Sequence, residues 1–146
     1  MAIILIHSSK TMRTDANIAA KYQAPKLLNK ASELMAYIVK LTPKQLEKPM
    51  HLSPALAVKT HALLAAWSAD SPYQISAIDA FLGDIYSGLR VSQLTAEQRQ
   101  YANQHLYILS GLYGMLKPLD TICPYRLEMG YRFADEPFKS LYSFWG

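Results

Sequence analysis

A chain of 146 residues, 51% apolar and 18% charged, has the composition of one folded domain with a sizeable core rather than a disordered or low-complexity segment. No apolar run approaches the roughly 20 residues that span a bilayer, and Ala2–Ile6 is too short for the core of a signal peptide, so no membrane partner is expected. The single cysteine, Cys123, leaves no intrachain disulfide to form, which suits a reducing, cytoplasmic setting.

The net charge of +4 is unevenly placed. Residues 1–73 carry nine Lys/Arg against four Asp/Glu, whereas residues 74–146 carry six against seven. A mild basic excess of this kind fits either a nucleic-acid partner or an ordinary solvated surface.

In chain order, Ala2-Ile3-Ile4-Leu5-Ile6 reads as a buried strand, being a continuous apolar run rich in β-branched residues. The polar loop His7-Ser8-Ser9-Lys10-Thr11 follows at its carboxyl end, a position where open α/β sheets often hold ligands. Lys10 either contacts a phosphate there or stays solvated; the glycines of a P-loop are absent.

Pro25 to Leu41 is expected to be an amphipathic helix, with Leu27, Leu28, Ala31, Leu34, Met35, Ile38 and Leu41 on one side and Pro25 at its first position. Thr42-Pro43-Lys44-Gln45 has capping-box spacing, and Ser53-Pro54 starts a further helix to about Trp67. Lysines 21, 26, 30, 40, 44 and 48 are spread around these helices, as a solvated face or a DNA-tracking stripe would have them. Ile75–Phe81 is ambiguous between helix and strand, and Gly83–Leu89, with Asp84 and Tyr86 between its glycines, reads as a loop. Thr95-Ala96-Glu97-Gln98 is a second capping box, opening a helix to about Leu109 with Tyr101, Leu106 and Leu109 inward.

The most constrained stretch is Leu109–Gly130, with three glycines and two prolines among large apolar residues. Gly111 and Gly114 bracket Leu112-Tyr113 as a tight apolar hairpin, followed by a turn at Pro118 and Asp120. Tyr125–Phe133 then alternates as a strand. Tyr125, Leu127, Met129, Tyr131 and Phe133 lie on one face, with Arg126, Glu128 and Arg132 on the other. That charged face is either a mutually paired surface or an anion site in which Glu128 orients an arginine.

The helix ending at Leu109, the hairpin and Leu116-Lys117 together suggest a helix-hairpin-helix-like element. Its glycines would let backbone N–H groups reach a DNA phosphate, with charge added by Lys117. The competing reading is a glycine-rich turn packed in the core, with Leu112 and Tyr113 buried. His7, His51, His61, His105 and Cys123 lack metal-ligand spacing, so no metal or cofactor is expected. Cys123, between Ile122 and Pro124, reads as structural, and no nucleophile elbow is present. No repeat or internal linker interrupts the chain, so residues 1–146 read as a single compact α+β domain, a mixed sheet with packed helices.

The strings LSGLYGMLKPLD and PYRLEMG, with Lys10-Thr11, FLGDIYSGL at residues 81–89 and the closing LYSFWG, occur in one order from end to end. This ordered set resembles the YaaA family, bacterial cytosolic proteins associated with resistance to peroxide stress. The resemblance implies the N-terminal portion of a longer fold, and protection against oxidative, iron-mediated DNA damage by sequence-independent DNA binding. Carried over by position, the nucleic-acid-binding residues would be Lys10, Thr11, Gly111, Leu112, Tyr113, Gly114, Lys117, Arg126 and Arg132. The alternative is an enzyme acting on a phosphorylated or nucleotide-like small molecule, with a site of Lys10, Asp84, Tyr86, Arg126 and Glu128.

Overall fold

In the computed structural model, residues 3–9, 12, 23–69, 75–135 and 138–145 are described. Strand β1 (Ile4–His7) is followed by helix α1 (Leu28–Ile38), whose buried Ala31, Leu34, Met35 and Ile38 recur at the helical spacing seen in the sequence. Pro25 is not its first residue: it sits in the preceding turn, its carbonyl accepting from Leu28 N–H at 3.3 Å. Helix α2 (Pro43–Glu47) carries the expected capping box. Thr42 Oγ1 accepts from Gln45 N–H, and Gln45 Oε1 accepts from Thr42 N–H. Ser53 caps α3 (Pro54–Ala65) with its hydroxyl, and Pro54 takes the first turn, where its missing N–H costs nothing.

The ambiguous segment is both things in succession: β2 (Ile75–Ser76), then a helical turn α4 (Ala77–Ala80). Gly83–Leu89 is not the loop its glycines suggested. Gly83, at φ +121°, breaks the chain, α5 (Asp84–Leu89) follows, and Arg90 in the left-handed region ends it. After a 3-10 turn at Val91–Gln93, helix α6 (Ala96–His105) opens with the second capping box.

Helix α6 stops at His105, short of Leu109. Leu106-Tyr107-Ile108-Leu109-Ser110 forms β3 (Leu106–Ser110), with Leu106, Ile108 and Ser110 buried and the residues between them half-buried. Tyr101, expected inward, is 67% exposed. Strand β4 (Gly114–Leu116), the two-residue strand β5 (Thr121–Ile122) and helix α7 (Leu141–Trp145) complete the order.

The three-stranded sheet has the order β1-β3-β4, parallel between β1 and β3 and antiparallel between β3 and β4; β2 and β5 form a separate antiparallel pair. This is the single α+β domain expected, a mixed sheet with packed helices. The core joins α1, α2 and α3 to Ile108, Leu112, Tyr113, Leu116, Ile122 and the aromatic residues of 125–144.

Two expectations fail for one physical reason. Among the described residues strand β1 is an edge strand, not a buried one: Ile4 and Leu5 are more than half exposed. Residues 125–133 include no strand, although Tyr125, Leu127, Tyr131 and Phe133 are buried as the alternation required. A turn closes from Tyr131 N–H to the Glu128 carbonyl at 3.1 Å. Periodicity reports which side chains go inward; a ladder needs a neighbouring strand, which no local pattern supplies.

Candidate functional site

Strands β1 and β3 bring their carboxyl ends side by side, and Ser8 N–H donates to the Leu109 carbonyl at 3.0 Å just beyond the ladder. A cavity of about 560 Å³ opens there. Ser8, Ser9 and Glu128 give it a polar edge, and Leu109, Leu127, Met129 and Trp145 an apolar wall. The ends of parallel strands are a recurrent ligand position because side chains and backbone groups converge there from separate elements.

The Ser8–Ser9 loop is fixed from several sides. Tyr86 donates its hydroxyl to the His7 carbonyl at 2.6 Å. A Cβ on Gly83 would lie 3.3 Å from Ser9 Oγ, so the start of α5 packs directly on the loop. Beneath it, the buried Tyr125 hydroxyl pairs with Ser110 Oγ at 2.5 Å and with Ser8, and Ser110 Oγ accepts from Tyr113 N–H at 3.0 Å. Burial pushes Tyr125 up to about 12, so this network is neutral at physiological pH.

The hairpin expected to grip DNA faces the protein instead. Its flanks are β3 and β4, not helices, so it is no helix-hairpin-helix. Leu112 and Tyr113 are buried. Gly111 lies where a Cβ would come within 2.6 Å of the Leu127 carbonyl, and Gly114, at φ +75°, where one would meet the Trp145 ring at 2.8 Å. The glycines thus permit close internal packing with Leu127 and Trp145 rather than a helix-flanked turn presented to a DNA backbone. The Tyr113 hydroxyl accepts from Trp67 Nε1 at 2.9 Å and from Cys123 N–H at 3.1 Å. Lys117 is exposed, and its backbone N–H is held by Asp120 Oδ2 at 2.8 Å, making the expected turn.

The charged triad divides. Tyr131 donates its hydroxyl toward Glu128 and accepts from Arg126; burial, then Glu128, pushes it up to about 12. Arg126 also buries an Nε with no hydrogen-bond partner among the described residues. Arg132 instead projects into a shallow cleft of about 410 Å³ with Lys48 and His51. Asp84 is exposed at the start of α5, and neither it nor Tyr86 lines the cavity of Ser8 and Ser9. Lys10 and Thr11 lie outside the described residues. Lys30 is drawn from the suggested lysine stripe into the fold, donating to the Phe144 carbonyl at 2.9 Å and lying over its ring.

Of the residues expected from the sequence, Glu128 is at the cavity with Arg126 behind it through Tyr131, and Gly111 forms part of its floor. Ser8, Ser9 and Trp145 are additions. The polar loop after β1 signalled the first two, but nothing local signalled Trp145, which arrives from α7 and donates Nε1 to the Gly111 carbonyl at 2.8 Å. Among the described residues no group of His, Cys, Asp or Glu is placed to hold a metal ion. No helix among them is long and apolar enough to cross a membrane.

These features define an α+β domain with a hollow of polar edge and apolar wall at the ends of two parallel strands. The chain belongs to the family described as "Peroxide stress protein YaaA", which it matches over residues 1–146. It is 52% identical over 144 residues to a UPF0246 protein of Salinispora tropica, the match taking in 99% of this chain and 55% of that relative. With a UPF0246 protein of Ralstonia nicotianae it shares 43% identity over 149 residues, covering 99% of this chain and 57% of the relative. With one of Burkholderia multivorans it shares 42% over 151 residues, covering 99% and 56%. The chain therefore spans a little over half the length of these curated relatives.

Proposed function

We propose that this chain is the amino-terminal portion of a peroxide-stress protein, and that it acts by binding a nucleotide-like or phosphorylated small molecule in the cavity beyond β1 and β3. The observation that carries this reading is the pairing, in one hollow, of the Glu128 carboxylate and the Ser8 and Ser9 hydroxyls with the apolar wall of Leu109, Met129 and Trp145. A carboxylate accepts hydrogen bonds from sugar hydroxyls, serines bond to sugar or phosphate oxygens, and an apolar wall takes a ring. A phosphate would also call for a cation, and the sequence reading offers Lys10, next in sequence to Ser9 and outside the described residues, for that role.

The test is calorimetric titration with adenosine, its monophosphate and its diphosphate. Saturable binding is expected, weakened about tenfold or more by Glu128→Gln or Ser9→Ala, the loss of one charge-assisted or buried hydrogen bond. Binding that ignores both substitutions would place the ligand elsewhere.

Sequence-independent DNA binding is the second reading, and the grouping of Lys48, His51 and Arg132 around one cleft favours it. The cations of that cleft, not the hairpin, would then carry the contact. Affinity for duplex would fall steeply with salt, and Arg132→Ala would weaken it and flatten the salt dependence. Lys117→Ala would separate the two surfaces, because only a hairpin contact depends on it.

A further inference from the structure

The sheet β1-β3-β4 has two unlike faces. Ile108, Ser110 and Leu116 point into the core. The register places Leu5 beside Tyr107, and Leu109 beside both His7 and Met115, on the opposite face. There Leu5 is 56% exposed and Met115 41%, with Tyr107 and Leu109 half-buried. Ile3 and Ile4, at the open end of the edge strand, are exposed as well. Among the described residues no second layer covers Leu5 and Met115, and an apolar sheet face of this kind is what a domain interior looks like before its second layer is added.

We propose that this outer face is the seat of the further polypeptide that the longer relatives carry, which packs an apolar helix or strand face across Leu5, Tyr107, Leu109 and Met115. The reason to choose this occupant is length. The match takes in 99% of this chain but only 55–57% of each relative, so somewhat under half of each relative lies outside it. That further polypeptide is tethered to this same sheet, which gives it an effective concentration that a second copy lacks. Its chemistry is fixed by the face: apolar, with polar groups only toward His7. Because His7 and Leu109 also line the cavity, the covering layer forms one wall of it. The packing itself does not depend on what the cavity holds.

Thiol labelling tests the proposal without any ligand. Single substitutions Leu5→Cys and Met115→Cys are made in the 146-residue chain and in a fusion joining it, in the relative's own order, to the unmatched polypeptide of the Salinispora tropica protein. Val58→Cys, exposed on α3 away from the sheet, is the control. Positions 5 and 115 should label as fast as position 58 in the short chain, and more than about tenfold slower in the fusion, where labelling must await local opening. Equal rates in a folded fusion would overturn the proposal. Protection in the short chain that rises with its concentration would also overturn it, making a second copy the occupant.

A second measurement does not need the fusion to fold. An anilinonaphthalene sulfonate dye should bind the short chain, with signal lost on Met115→Lys, and should bind the intact Salinispora tropica relative much less. Equal dye binding by both natural proteins would contradict a covered face.

Discussion

The indole of Trp145 donates its Nε1–H to the carbonyl of Gly111 at 2.8 Å, tying the last described helix to the turn between β3 and β4 at the wall of the cavity. The same ring lies against Gly114, where an added Cβ would stand 2.8 Å from it. Gly111 meets the Leu127 carbonyl more closely still, at 2.6 Å from a would-be Cβ. Backbone is there in place of a flexible side chain, so little can yield. Gly111→Ala is expected to destabilise the fold by about 1–3 kcal/mol, as overpacking does. Gly114→Ala should cost a similar amount, because a Cβ at φ +75° adds backbone strain to the clash. Thermal or urea unfolding reads both; neutral substitutions would mean that the turn can shift outward.

The hydroxyl of Tyr113 is the meeting point of two donors, Trp67 Nε1 and Cys123 N–H, inside the core. Tyr113→Phe preserves the ring and removes both acceptor contacts, leaving the buried Cys123 N–H without its partner. The expected loss is about 1–3 kcal/mol in equilibrium unfolding, the range for a buried polar group left unsatisfied. A change near zero would show that Cys123 finds another acceptor.

Tyr125 and Tyr131 are both raised, chiefly by burial, to about 12 from an ordinary value of 10.0, and burial moves Tyr86 and Tyr113 in the same direction. A raised tyrosine means the unfolded chain gives up its proton first. The stabilisation from keeping these hydroxyls neutral is whole below pH 10 and lost as pH climbs through 12. Unfolding free energy should therefore fall over that interval, with the tyrosinate absorbance of these four rings appearing together with loss of structure. Tyrosinate forming at these four positions, assigned with single Tyr→Phe variants, while the fold stays intact would contradict the burial of these rings.

Much of this arrangement was legible locally. The capping boxes at Thr42 and Thr95 and the cap at Ser53 are interactions over three residues, and each forms as spaced. Inward positions along α1 and along 125–133 followed from periodicity alone. The misreadings came where partners are distant in sequence. Leu106–Leu109 carries a pattern that helix and strand share, and pairing with β1, some hundred residues away, decides for the strand. Gly111 and Gly114 announced close approach, but whether to a phosphate or to Leu127 and Trp145 depends on which elements return to them. Glu128 could be nominated from its charge. Trp145 could not, because an aromatic residue in an apolar run looks the same on a cavity wall as in a core.

The most direct measurement is backbone and indole NMR of the isotope-labelled chain, titrated first with adenosine monophosphate and then, separately, with a short duplex. Ligand binding in the cavity should move the signals of Ser8, Ser9, Glu128, Met129, Gly130 and the Trp145 indole together along one saturating curve. Shifts confined to Lys48, His51 and Arg132 with the duplex, and none at Ser9 or Trp145 with the nucleotide, would contradict the cavity as the working site.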